Sequence, residues 1–160
     1  MNRIAPAQET DSQDVFYDED VSSENTFLIF FVNDDCWAIR TSFVQEIMYA
    51  AKIHPLPFVP SYIEGVVNCR GFPYTVVNTL KMANSSKPGD GASIDGGTVL
   101  VFKRDDDNFA IHISNIELFF EPEEQDIKLD GIRYKGELIK FFDVDIVEER
   151  LRRDLSEKDD

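Results

Sequence analysis

The sequence predicts an all-β protein built as two small, internally duplicated β-barrel units with short helical turns. Three observations carry that expectation. Short apolar runs of strand length alternate with turns of Asn, Asp and Gly along most of the chain. The segment "FLIFFVNDDCWAIRTSFVQEIM" from Phe27 aligns without a gap on "VLVFKRDDDNFAIHISNIELFF" from Val99, an offset of 72. The chain has 160 residues, 42% of them hydrophobic and 13 of them Phe, and a chain of that size buries roughly two-thirds of its unfolded surface.

Each element follows from its residues. Residues 1–24 are polar and acidic and read as a disordered leader. The domain proper then runs over 25–147, with barrel units at about 27–83 and 98–147. In the first unit an apolar strand, "FLIFFV", meets the turn "NDD", whose side chains bond back to the backbone. A second strand, "CWAI", completes a hairpin. In "RTSFVQEIM", Thr41 or Ser42 is placed to cap a short helical turn that buries Val44, Ile47 and Met48. The prolines of "HPLPFVPSYIEG" exclude a ladder strand, so the chain should wrap the surface until Tyr62 and Ile63 bury. A hairpin follows around "VVNCRGF". Residues 84–97, "NSSKPGDGASIDGG", read as a flexible linker. The second unit repeats the order, and 148–160 is a charged tail with at most a short, fraying helix. Barrels suit such short strands because closure removes exposed edges.

Charge limits the partners. The net charge is −15, and the leader contributes seven acids against Arg3 alone. An acidic surface repels phosphate backbones and anionic lipid, so neither nucleic acid nor direct membrane insertion is expected. Cys36 and Cys69 both fall in strand-like runs and read as reduced core thiols. The first residues lack an apolar signal region, and no apolar run approaches the ~20 residues that span a bilayer. A cytoplasmic location is expected.

The search for a reaction centre yields no catalytic residue, metal ligand set or cofactor motif. Of the two histidines, His54 precedes a proline, and His112 alternates with Ile111 and Ile113, which places it toward solvent. The acids at 34–35 and 105–107 lack the oxygen-rich loop pattern of a calcium site and suit hairpin turns. There is no phosphate-binding glycine motif. A binding module is therefore expected, with a metal-dependent β-barrel enzyme using the Asp clusters, or a generic peptide-binding barrel, as alternatives.

One residue exceeds what folding requires. In "VVNCRGF" the reversal occupies Asn68 to Gly71, and Asn68 and Gly71 suit it. Arg70 then projects from the corner, and Arg is favoured where a planar fork must grip a partner.

The motif around it is more specific. "PSYIEGVVNCRG" from Pro60, preceded by "WAI" and "VQEI" and followed by "GELIKFFDVDIV" from Gly136, resembles the CheW adaptor family of bacterial chemotaxis. That domain also forms the regulatory domain of the CheA-type histidine kinase. The resemblance covers about 25–147. It implies two SH3-like five-stranded β-barrels and a non-catalytic role in chemotaxis signal transduction. The implied partners are the chemoreceptor cytoplasmic tip and the kinase regulatory domain. It assigns partner binding to Arg70 and Glu46, with Asn68 and Gly71 holding the turn and Val44 and Phe72 packing at the same surface. Two positions depart from the family pattern: Thr75 stands where Pro is common and Asn78 where Asp is common. A divergent module of this family serving another signalling pathway is the further alternative.

Overall fold

A computed structural model describes residues 25–84 and 93–158. Ten strands carry the fold. The first five are β1 (Phe27–Val32), β2 (Asp35–Arg40), β3 (Val44–Met48), β4 (Ile63–Cys69) and β5 (Phe72–Val77). After helix α1 (Thr79–Ala83) come β6 (Thr98–Phe102), β7 (Phe109–Ile113), β8 (Asn115–Phe120), β9 (Gly131–Tyr134) and β10 (Glu137–Phe141). Helix α2 (Val144–Lys158) ends the described chain. The expected leader lies outside the described residues, as do residues 85–92 of the expected linker.

The strands form two five-stranded sheets, ordered β8-β1-β2-β10-β9 and β3-β6-β7-β5-β4. These are the two SH3-like units, and the duplication is visible in their register. The pair Leu28↔Ile39 recurs as Leu100↔Ile111. Ile29↔Leu118 and Phe30↔Ile116 recur as Val101↔Glu46 and Phe102↔Val44, with the same register shift between them. The expected spatial boundaries need correction, however. Neither sheet is built from 27–83 or from 98–147 alone. Each takes the hairpin of one repeat (β1–β2 or β6–β7) and the three remaining strands of the other.

That exchange explains the sequence of the central strands. Side chains alternate across a strand, so β1 sends Phe27 and Ile29 to one face and Leu28, Phe30 and Val32 to the other. The first set joins Ala38, Ile132 and Ile139 inside the first barrel. The second joins Leu100, Phe102, Phe109 and Ile111 in a large cluster between the barrels. β6 does the same, sending Val99 and Val101 into the second barrel with Val67, Cys69, Val76 and Ala110. A strand buried on both faces reads as an unbroken apolar run, as "FLIFFV" does.

Three further expectations change. Only Thr41–Phe43 forms the helical turn, without a side-chain cap, and the "VQEI" segment is strand β3. Residues 93–97 do not behave as a loose linker: Ile94 is buried in the inter-barrel cluster. The charged tail is the body of a 15-residue helix that starts at Val144. Val144, Val147, Leu151 and Leu155 line one stripe of α2 at helical spacing and pack on the same cluster. Its polar flank is pinned by Arg104 to Asp145 and Glu148, by Arg152 to Asp107 and by the Tyr62 hydroxyl to Asp154.

Asn78 shows why Asn serves this position. Its Oδ1 accepts from Lys81 N–H and caps α1, while its Nδ2 donates to Glu64 at 2.9 Å. An Asp could cap but could not donate. Asn78→Ala is expected to lose about 1–2 kcal/mol from the cap, measured by urea unfolding, together with the α1 amide protection.

Candidate functional site

The corner between β4 and β5 is a two-residue turn. Cys69 pairs with Phe72, and Arg70 and Gly71 form the loop at φ 55° and 90°. Positive φ at both positions is the type I′ geometry that matches strand twist. Asn68 therefore lies on the strand rather than in the reversal, paired with Pro73. Its Oδ1 accepts from Gly71 N–H at 2.9 Å and braces the loop. In the first barrel the strand pair β9–β10 repeats the turn, with Lys135 at φ 52° and Gly136 at φ 80°.

Arg70 extends from this turn to Glu46 of β3, with Nε donating to Oε1 at 2.9 Å. Strands β3 and β4 are the two edges of their sheet, so the contact spans the open side of the barrel. The side chains are 51% and 32% exposed, and a pair that wet is worth only about 0–1 kcal/mol to the fold. Glu46 also accepts from the Cys69 thiol at 3.6 Å. Burial, with Glu46 adding to it, pushes that thiol up to about 11, which keeps it protonated and inert at neutral pH.

The structure thus brings Arg70, Glu46, Asn68 and Gly71 together, with Phe72 beside them at 61% exposure. It does not bring Val44. That side chain is 1% exposed and belongs to the inter-barrel core. Val44 precedes the register shift of β3 and Glu46 follows it, so the intervening Gln45 is left opposite no partner of its own. Three exposed aromatic or aliphatic side chains of the same barrel escaped the sequence reading: Tyr49, Leu56 and Phe58. Phe58 is 89% exposed and sits at φ 57°, a left-handed position that a bulky residue rarely takes. The signal available was an aromatic inside a proline-rich wrap.

His112 corrects another expectation. It is buried, not solvent-facing, and bonds Glu64 through Nδ1 and the Gly96 carbonyl through Nε2. Among the described residues no group of three or more His, Cys, Asp or Glu is placed to hold a metal ion. Asp107 of the second Asp cluster is already held by Arg152.

No curated protein sequence matches this chain. Among solved structures it is similar to scaffolding protein TtCheW from Thermoanaerobacter tengcongensis. That match has a TM-score of 0.63 at 14% identity and covers 76% of this chain and 90% of that one. At that identity the likeness shows the fold. The family model for the CheW-like domain matches residues 26–143. That span takes in all ten strands and the Arg70 corner and stops just before α2, and the chain belongs to the CheW-like domain family.

Proposed function

We propose that this chain is a non-catalytic adaptor of chemotaxis that couples a chemoreceptor's cytoplasmic tip to the regulatory domain of a CheA-type histidine kinase. Membership of the CheW-like family supports the scaffold role, and the geometry of one corner supports where it grips. The carrying observation is the Arg70–Glu46 pair. It adds little to stability, yet it holds a guanidinium and a carboxylate in fixed positions at the surface, beside the exposed Phe72. Interface hot spots combine such an Arg with an aromatic anchor.

The test is co-sedimentation of purified chain with receptor–kinase assemblies. Arg70→Glu and Glu46→Arg should each cut binding at least tenfold, while urea unfolding stays within about 1 kcal/mol of wild type. The double exchange restores an ion pair but reverses its polarity, so binding should stay lost although the pair is remade. Wild-type binding by both single variants would overturn this assignment.

A further inference from the structure

The strongest unused group lies away from that corner. His112 of β7 is enclosed by acceptors on both sides. Nε2 is 2.7 Å from the Gly96 carbonyl oxygen, which can only accept, so Nε2 carries a hydrogen. Nδ1 is 2.9 and 3.1 Å from the two oxygens of Glu64. A neutral ring would then aim a lone pair at an ionised carboxylate. The contact needs a hydrogen between Nδ1 and Glu64, and because Glu64 is held below the ordinary carboxylate range, its burial outweighed by the bonds from His112 and Asn78, that hydrogen sits on the ring as an imidazolium.

What this ring holds is the strap from Ser93 to Gly97, which joins the two barrels. Ile94 buries between them. Asn33, in the β1–β2 turn of the first barrel, donates through Nδ2 to the Ser93 carbonyl at 2.9 Å and accepts from Asp95 N–H at 3.0 Å. On the second barrel the Gly97 carbonyl accepts from Ala51 N–H at 2.9 Å. His112 fastens Gly96 between these two anchorages.

We propose that His112 is a pH-operated clasp: doubly protonated, it fastens the strap to the second barrel, and on deprotonation the one remaining hydrogen stays on Nδ1 toward the Glu64 carboxylate, so that the Nε2 bond to Gly96 is lost and the strap, with the seam between the barrels, loosens. The neighbouring charges are few. From β4 comes Glu64, itself bonded by Asn78 and acted on by Lys81 of α1. On the strap, Asp95 is exposed. From β6, Val99 faces His112 across the ladder, and β5 presents Val76 and Val77 to the neighbouring β7 residues. The hydrogen bond to Glu64 is the largest influence on His112 and holds its pKa above the ordinary value, with the Gly96 carbonyl acting the same way against the opposing effect of burial. For a raised His, the stabilisation is full below the unfolded value of about 6.5 and is lost as pH rises through the folded value. Release therefore comes on the alkaline side.

The experiment is hydrogen exchange by NMR on the full chain across pH, corrected for intrinsic exchange rates, with the ring nitrogens of His112 followed in parallel. Protection of the Asp95 and Ala51 amides should fall by up to about tenfold for each pH unit between the unfolded value near 6.5 and the folded His112 value, then level off, while Ile29 and Val101 keep theirs. Glu64→Gln removes the carboxylate, so both the ring titration and strap release should move together to lower pH. Strap protection that stays constant through the ring titration would overturn the proposal. So would a release that does not move with the ring in Glu64→Gln. If that variant fails to fold, the wild-type series alone decides.

Discussion

Phe102→Ala is expected to destabilise the protein by about 3–5 kcal/mol. Phe102 is almost wholly buried where the barrels meet. Its ring lies 5.3 Å from Phe109 and stacks at 6.1 Å on Phe142. Phe142 in turn meets Phe30 at 5.9 Å and Trp37 at 5.8 Å, so removal of one ring opens a void shared by both sheets. Helix α2 closes over the same cluster, which limits how far the gap can collapse. Urea unfolding measures the loss, and Phe72→Ala, at an exposed site, should stay within about 0.5 kcal/mol. A cost for Phe102→Ala below about 1 kcal/mol would mean that this cluster does not join the barrels.

Gly65→Ala should cost a comparable amount for a different reason. A Cβ at this position would lie 2.1 Å from the His54 carbonyl oxygen and 2.6 Å from its carbon. The obstacle is backbone, so the chain must separate where His54 and Val66 exchange hydrogen bonds of 2.8 and 2.9 Å. Losing two such bonds costs about 1 kcal/mol each, and the positive φ of 144° adds strain of about 1–3 kcal/mol. Gly71→Ala is the matched comparison: its φ is 90°, but no atom lies within 4 Å of the new Cβ. It should show the strain without the clash. Equal losses in the two variants would refute the close-approach argument.

Much of this architecture was legible because it was written twice. The offset that aligns Phe27 with Val99 also relates the ladder pairs of one sheet to those of the other, including the shifted register at Val44 and Ile116. What the repeat does not encode is which hairpin joins which strands, because the same local pairings exist whether or not the halves exchange them. Val44 was misplaced through its neighbour Glu46, since the irregularity at Gln45 is invisible in a string of letters. His112 was misread because alternation puts a polar residue outside only when the strand has a solvent face, and β7 has none. The helix at the end was masked by its charges, although its apolar spacing was present at Val144, Val147, Leu151 and Leu155. The Arg70 corner was readable because a tight turn declares its glycine. Its ion pair to Glu46 was not, because the two residues meet only when a barrel brings its edges together.

The traded hairpins have a consequence for how the molecule came to be one body. A chain divided between residues 84 and 93 would yield two pieces, neither owning a whole sheet. Two copies of a single ancestral repeat, lending each other their opening hairpins, would assemble the same ten strands. The protein has the form of an entwined dimer whose partners have been spliced end to end, so neither half can part from the other without both coming undone.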